Sequence, residues 1–340
     1  MKIAIVTIYS AFNYGSFLQA YAMQETLKKM GNEVYMLNCS KAPVSQRLRK
    51  VISKTNPIFV FKRFLAYNRD WKKLNISSQV DAQYDAAIIG SDEVWNIKGY
   101  FEHWPQYLGE GINTKKLIAY APSVGFSKPE ELLSNEPFAE GVKRFDAICP
   151  RDNATRDVCM QLCNHVTERV VDPTLLLLDD WEALLPEMNK KDKYVVYYSY
   201  LDDSPMKEYI LRFAKEHNMK VYIAGFNYQW GDKNKMESPL GFLTLLKNAE
   251  YVFTSTFHGS VMSTILKKNL VVRPSGQKVI DYLDLIGLSN RKFFDGMDYE
   301  AFESLTMEGI DYNRVRMVQN EMKKKSIEIL ERALANKPAE

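Results

Sequence analysis

The segment Phe253-Thr-Ser-Thr-Phe-His-Gly-Ser260 sets one of only four histidines, His258, where a short apolar strand gives way to a glycine and the start of a helix. A helix start offers N–H groups and a positive dipole end, an imidazole can give or take a proton, and glycine admits close approach. Together with Ser255, Gly259 and Ser260 these groups suit a small anionic substrate that also exchanges a proton. Taken alone, the segment slightly favours a simpler alternative in which His258 caps the helix. A second polar set, Gly90-Ser-Asp-Glu-Val-Trp-Asn96, follows the apolar run Ala86–Ile89. Gly90 permits a tight turn, and Ser91, Asp92 and Asn96 can exchange hydrogen bonds with sugar hydroxyls. A helix cap over a buried Trp95 would explain Ser91 or Asp92, but not the whole set.

Three further candidates stand just after predicted strands. Asn13-Tyr-Gly-Ser16 could cradle an anion on backbone N–H groups, with Asn13 and Gly15 as contacts, or serve equally well as a structural turn. Arg151, in Cys149-Pro-Arg-Asp-Asn153, could hold a carboxylate or phosphate bidentately. The commoner fate of such an arginine is a surface ion pair, here with Asp152 or Asp157. Arg273 follows the run Leu270–Val272 and is a second anion candidate. The chain has neither Gly-x-Gly-x-x-Gly nor a P-loop, so a dinucleotide or ATP site is unsupported. The Cys159-x-x-x-Cys163-x-His165 cluster lacks a fourth ligand at fitting spacing, so no metal is expected and the cysteines read as packing residues.

The elements that must position these groups alternate between strand and helix from the start. Runs at Ile3–Ile8, Val34–Leu37, Ala86–Ile89, Leu117–Ala121 and Ala147–Cys149 read as buried parallel strands. A helix over Ser16–Met30, with Ser16 and Gln19 as a capping box, follows the first of them. Asp172-Pro-Thr174 and its four leucines read as a crossover, after which strands Tyr194–Tyr200, Lys220–Ala224, Tyr251–Thr254 and Leu270–Val272 alternate with a second series of helices, one of them over Gly259–Lys267. The expected class is α/β, with two Rossmann-like domains facing a cleft: 1–172, the probable acceptor side, and 173–300, carrying His258. Residues 301–340 are expected to form a C-terminal helical segment, with one long helix over Tyr312–Asn336 packing back on the first domain. Ligands of such sheets bind at the carboxyl ends of strands, where every candidate above lies.

Composition is that of an ordinary soluble protein, and 340 residues favour two domains over one. A net charge of +3 argues against a nucleic-acid partner. No apolar run reaches bilayer length and no secretory signal is expected, which with four unpatterned cysteines indicates a cytoplasmic location. Charge is uneven, however. Residues 41–73 hold ten Lys or Arg against the single acid Asp70, interleaved with aromatic and aliphatic residues. Such a basic amphipathic helical segment reads equally as a peripheral contact with the inner membrane face or a phosphate-rich substrate, and as a solvated outer face.

Several motifs, in order, resemble the polysaccharide pyruvyl transferase family: Asn13-Tyr-Gly-Ser-Phe-Leu-Gln-Ala20, Asp85-Ala-Ala-Ile-Ile-Gly-Ser-Asp-Glu-Val-Trp-Asn96, Tyr120-Ala-Pro-Ser-Val-Gly125, Arg151-Asp152, Asp172-Pro-Thr174 and Thr254-Ser-Thr-Phe-His-Gly259. The resemblance runs from Lys2 to about Arg273, its most specific stretch being Gly-Ser-Asp-x-Val-Trp-Asn. It implies a fold similar to the glycosyltransferase B architecture. It also implies transfer of the enolpyruvyl carbons of phosphoenolpyruvate to a sugar of a surface polysaccharide or its lipid-linked precursor, with phosphate released and no cofactor. By resemblance His258 matches the family's functional histidine and Arg151 its phosphoenolpyruvate-binding arginine, with Asp92 a candidate for proton transfer or for holding the acceptor. Many members carry an arginine shortly before the His-Gly pair, where this chain has Thr256 and Phe257; Arg273 is the candidate to supply that contact. The alternatives are a nucleotide-sugar glycosyltransferase of similar fold and a catalytically inactive carbohydrate-binding relative.

Overall fold

A computed structural model describes residues 1–38, 57–98, 105–187, 192–202 and 205–335. The chain divides into two compact units: Met1–Val51, Trp71–Leu177 and Glu321–Glu340 form unit 1, while Ile52–Asp70 and Leu178–Asn320 form unit 2.

Unit 1 is built on strands β1 (Lys2–Val6), β2 (Glu33–Leu37), β3 (Ile76–Ser77), β4 (Ala86–Ile89), β5 (Leu117–Tyr120) and β6 (Ala147–Cys149). All pairings are parallel, in the order β3-β2-β1-β4-β5-β6. β1, β4 and β5 are apolar at nearly every position because helices cover both faces, so no polar–apolar alternation is needed. The unit's helices are α1 (Tyr14–Lys29), α3 (Pro129–Leu133), α4 (Glu136–Lys143) and α5 (Asn153–Leu162). α2 (Pro57–Trp71) intervenes in sequence but lies in unit 2 up to its last residue.

Unit 2 repeats the plan with β7 (Tyr194–Tyr198), β8 (Lys220–Ala224), β9 (Lys233–Lys235), β10 (Tyr251–Thr254) and β11 (Asn269–Val272), all parallel in the order β11-β10-β7-β8-β9. Its helices are α6 (Met206–Glu216), α7 (Pro239–Asn248), α8 (Phe257–Ile265), α9 (Gln277–Leu285) and α10 (Tyr299–Met307). The last helix, α11 (Tyr312–Ala335), belongs to unit 2 up to Asn320 and to unit 1 from Glu321. Within unit 1, Ser326 Oγ accepts from Val171 N at 3.0 Å, and Lys116 Nζ donates to the Leu334 carbonyl at 2.8 Å.

In each sheet the chain builds outward in one direction and then returns to the first strand to build the other way. That reversal, the topological switch point, falls between β1 and β4 in unit 1 and between β7 and β10 in unit 2. The connections leaving the two paired strands there run in opposite directions along the sheet, the arrangement at which such sheets receive ligands.

Several elements differ from the sequence reading. The helix after β1 starts at Tyr14, because Asn13 Oδ1 accepts from Gly15 N at 2.9 Å and so caps it, not Ser16. Gln19, expected in a capping box, is fully buried and places Nε2 within 3.0 Å of Thr7 Oγ1 and the Ile8 carbonyl and 2.8 Å from the Ser16 carbonyl. The basic segment assigned by sequence to the first domain is divided. Residues 39–56 lie outside the described residues, and α2 joins unit 2 through Arg69 Nη2, which donates to Ser238 Oγ at 2.7 Å, and Asp70 Oδ2, which accepts from Leu240 N at 2.8 Å. β3, β9, α3, α4 and α10 have no counterpart in the predicted elements.

Asp70 is 1% exposed and satisfies an N–H at the start of α7. Asp70→Ala would bury that donor unpaired and should cost about 1–3 kcal/mol by urea unfolding. Asp70→Asn keeps an oxygen acceptor and should lose clearly less; equal losses would mean that the hydrogen bond contributes nothing.

Candidate functional site

At the carboxyl edge of the unit 1 sheet a buried carboxylate, Asp172, organises the loops. Its Oδ2 accepts from Arg151 Nη1 at 2.9 Å and from Ser91 Oγ at 3.2 Å, and its Oδ1 accepts from Thr174 N at 3.1 Å and Thr174 Oγ1 at 2.8 Å. Side-chain exposure is 0% for Asp172 and 5% for Arg151, so this pair is screened very little by water. Burial works to lower the Arg151 pKa, but the carboxylates of Asp172, Asp92 and Asp152 outweigh it and leave the guanidinium above its ordinary value. The same edge contains Tyr120, whose phenol is pushed well above its usual range by burial and by the neighbouring Cys149 and Asp172. With the phenol neutral and Arg151 paired with Asp172, the carboxylates of Asp92 and Asp152 are the further charges acting on this guanidinium.

The partner of Arg151 therefore differs from the surface pairing weighed from sequence. Asp152 caps α5, with Oδ1 accepting from Thr155 N at 2.8 Å and Thr155 Oγ1 at 2.6 Å, and Asp157 sits 3.8 Å from Arg156. Sequence analysis read Asp172-Pro-Thr as a crossover and overlooked the carboxylate's role. An Asp before Pro and Thr is itself a capping signature and marked a side chain committed to local N–H groups.

Around the switch point of unit 1, Thr7 Oγ1 donates to the Ser91 carbonyl at 3.0 Å and joins the loops that follow the two paired strands. Ser16 Oγ donates to Asp92 Oδ2 at 3.0 Å, connecting the start of α1 to the loop after β4. Asp92 adopts φ 71°, a left-handed conformation that aspartate tolerates, and its Oδ1 accepts from Glu93 N at 3.0 Å. Gly90, at φ 107°, has no alternative residue: a Cβ there would sit 2.4 Å from the Tyr120 carbonyl. Asn96 is spent on the loop itself, with Nδ2 donating to Glu93 Oε2 at 3.0 Å and Oδ1 accepting from Ser127 Oγ and Lys98 N, both at 3.1 Å. Asn13 is likewise used as the cap of α1. Ser91, Asp92 and Arg151 are thus brought into one network, while Asn96 and Asn13 hold the neighbouring backbone.

Among the described residues the unit 2 edge is organised by hydroxyls. Ser199 and Ser255, which follow β7 and β10, share a hydrogen bond of 2.7 Å, the counterpart of the Thr7–Ser91 tie. Thr254 Oγ1 donates to the Tyr198 carbonyl at 2.6 Å. The sequence alternative in which His258 caps the helix is overturned: Thr256 is the cap, its Oγ1 accepting from Gly259 N at 2.9 Å. His258 is therefore the second residue of α8, half-buried, in edge contact with Phe257 at 5.3 Å. A Cβ on Gly259 would lie 2.2 Å from Thr254 Oγ1 and 2.5 Å from Thr256 Oγ1, so only glycine lets α8 begin this close to the strand ends. Ser260 turns back to the Thr256 carbonyl at 3.0 Å and is fully buried.

The far half of α8 is fixed by a second buried set. Thr264 Oγ1 and Tyr282 OH share a hydrogen bond of 2.6 Å, and Gln319 Nε2 donates to both, at 3.1 and 3.0 Å. Arg273 follows β11, where its backbone N donates to the Thr254 carbonyl at 2.9 Å and brings this loop beside that of Ser255. Its guanidinium meets Asp295 at 3.3 Å, a carboxylate 74% exposed, and such a solvated pair yields readily to a competing anion. Thr7 and Ser199 escaped the sequence reading because the strands were extended to Ile8 and Tyr200, two residues past their ends at Val6 and Tyr198. Elsewhere Cys159 is buried in the unit 1 core, and Cys163 Sγ donates to the Cys159 carbonyl at 3.5 Å.

The model of the family described as Polysaccharide pyruvyl transferase matches residues 13–274, well over half of the chain. No curated protein sequence matches significantly. Among solved structures, a UDP-N-acetylglucosamine 2-epimerase aligns over 100% of this chain and 97% of its own, with TM-score 0.56 and 9% identity. The UDP-GlcNAc 2-epimerase of Neisseria meningitidis, bound to UDP-GlcNAc, covers 99% and 100% with TM-score 0.55 and 11% identity. That of Methanocaldococcus jannaschii covers 94% and 99% with TM-score 0.50 and 10% identity. At such identities the likeness concerns the fold, that of glycosyltransferase B-type proteins with two parallel-sheet α/β domains.

Removing one member of the buried pair leaves the other uncompensated. Asp172→Ala should cost about 3–5 kcal/mol in urea unfolding, and the double variant Arg151→Met, Asp172→Leu should recover a large part of it. A double variant as unstable as the sum of the two single ones would show that the two charges do not act as a pair.

Proposed function

The chain belongs to the polysaccharide pyruvyl transferase family, and from that premise we propose that it transfers the enolpyruvyl carbons of phosphoenolpyruvate to a sugar of a bacterial surface polysaccharide or its lipid-linked precursor. Membership makes it a transferase of polysaccharide biosynthesis with a sugar acceptor. The finer reading rests on one observation. The motifs that carry the family resemblance, Gly90–Asn96 in unit 1 and Thr254–Gly259 in unit 2, fall beside the switch point of each sheet. These are the positions where parallel α/β sheets receive ligands.

The reaction makes defined demands. A proton adds to the methylene carbon of phosphoenolpyruvate and positive charge develops at the central carbon. Two sugar hydroxyl oxygens then bond to that carbon, each losing its proton, as the bond to phosphate oxygen breaks. One of the two protons replaces the one consumed at the methyl group and the other leaves with hydrogen phosphate.

Groups that move protons and hold anions are therefore required. His258 is our candidate for proton transfer: it lies half-buried in the first turn of α8, at the positive end of the helix dipole, which favours a carboxylate or phosphate. Arg273 is the second anion-binding candidate of unit 2, held only by a solvated partner. In unit 1, Arg151 is balanced by Asp172. An anion received there relies on the guanidinium's geometry more than on net positive charge. Asp92, oriented by Ser16, is our candidate to hold an acceptor hydroxyl, while Ser91, fully buried and bonded to Asp172, supports the loop that carries it.

The test is incubation of the purified protein with phosphoenolpyruvate and lipid-linked saccharides, following phosphate release together with gain of the pyruvyl mass. Turnover of a nucleotide sugar with none of phosphoenolpyruvate would contradict the reading. His258→Ala should lower kcat about 100-fold or more with the fold intact; an unchanged rate would remove His258 from the chemistry.

A further inference from the structure

α2 turns toward solvent a face that its own unit does not use. Phe61 is 60% exposed and Leu65 52%, one turn apart, whereas Val60 and Tyr67 on the other side are buried. Lys62 adjoins Phe61 on the exposed side, and Arg69, one turn beyond Leu65, keeps 70% of its side chain exposed while reaching Ser238. Asp70 is the single acid in the sequence 57–71; it is buried, its Oδ2 accepts from Leu240 N, and its Oδ1 lies 3.7 Å from Arg69 Nε, so among the described residues Lys62 is the cation of this face without an acidic partner. The surrounding sequence, 41–73, contains nine further Lys and Arg besides Lys62 and no acid other than Asp70.

Single exposed apolar residues are ordinary, but two large ones aligned on a helix, with Lys62 and Arg69 as their exposed charged neighbours, form the pattern of an interfacial helix. The positive charge selects the partner. A neutral protein groove would accept Phe61 and Leu65 but gain nothing from the basic residues, whereas an anionic bilayer satisfies both. No helix among the described residues is long and apolar enough to cross a membrane, so the contact is peripheral. We propose that α2 docks the protein on a membrane surface bearing anionic phospholipids, with Phe61 and Leu65 entering the headgroup–acyl boundary while Lys62 and Arg69 meet lipid phosphates. This goes beyond the reaction proposed above, and its test needs no substrate, so either can fail alone.

The full chain is sedimented with vesicles of phosphatidylcholine and phosphatidylglycerol, and with vesicles of phosphatidylcholine alone. Binding is expected to the anionic vesicles, reduced about tenfold or more by high salt. The exposed double variant Phe61→Ser, Leu65→Ser should weaken it by about tenfold or more. Unfolding midpoints should be unchanged. Phe61→Trp should add an emission component that shifts to the blue with anionic vesicles. Failure to bind anionic vesicles, or equal binding by the double variant, would overturn the proposal. So would lipid-independent self-association abolished by the double variant, which would assign the face to a second copy of the chain.

Discussion

Asp172 carries a charge that water does not reach, and the carboxyl edge of unit 1 is arranged to satisfy it. Taking a carboxylate out of water costs several kcal/mol unless it is paired and fully hydrogen-bonded. The four donors it receives come from Arg151 after β6, from Ser91 after β4 and from Thr174 in its own turn, so one charge fixes three loops. Ser91 is then in place for its carbonyl to accept from Thr7, and the next residue, Asp92, meets Ser16 of α1. Loosening any of these loops would cost the buried ion one of its partners.

In unit 2 the described residues at the corresponding place are joined through hydroxyls. Its switch point is joined by the Ser199–Ser255 hydroxyl pair and closed by the cap of Thr256 on α8. The two edges thus differ in charge: one is held by a paired carboxylate with Asp92 and Asp152 near it, the other carries a helix start, a histidine and an arginine paired with an exposed carboxylate.

What could be read from the chain and what could not follow from the range of the forces involved. Strands β1, β4, β5, β7 and β10 are continuous apolar runs, and a buried parallel strand announces itself in that way within a few residues. β3 has two residues and β9 reads Lys-Asn-Lys, so neither carries a hydrophobic signal; each pairs only because a neighbouring strand is already in place. The candidate motifs were legible because they cluster in sequence after strands. The connections among them were not: Ser16 finds Asp92 across 76 residues and Ser91 finds Asp172 across 81. Local spacing favoured Ser16 and His258 as caps, whereas Asn13 and Thr256, each three positions or fewer upstream, hold those places through their own short side chains.

The central claim is that this architecture forms a ketal from phosphoenolpyruvate, and one spectrum tests it most directly. Phosphoenolpyruvate labelled with carbon-13 at its central carbon is incubated with the protein and a lipid-linked saccharide, and the labelled carbon is followed by NMR. The account predicts that the vinyl carbon signal gives way to that of a saturated ketal carbon attached to the sugar, in step with phosphate release. A label that remains vinylic, or appears only as free pyruvate, while the saccharide is otherwise consumed would contradict it.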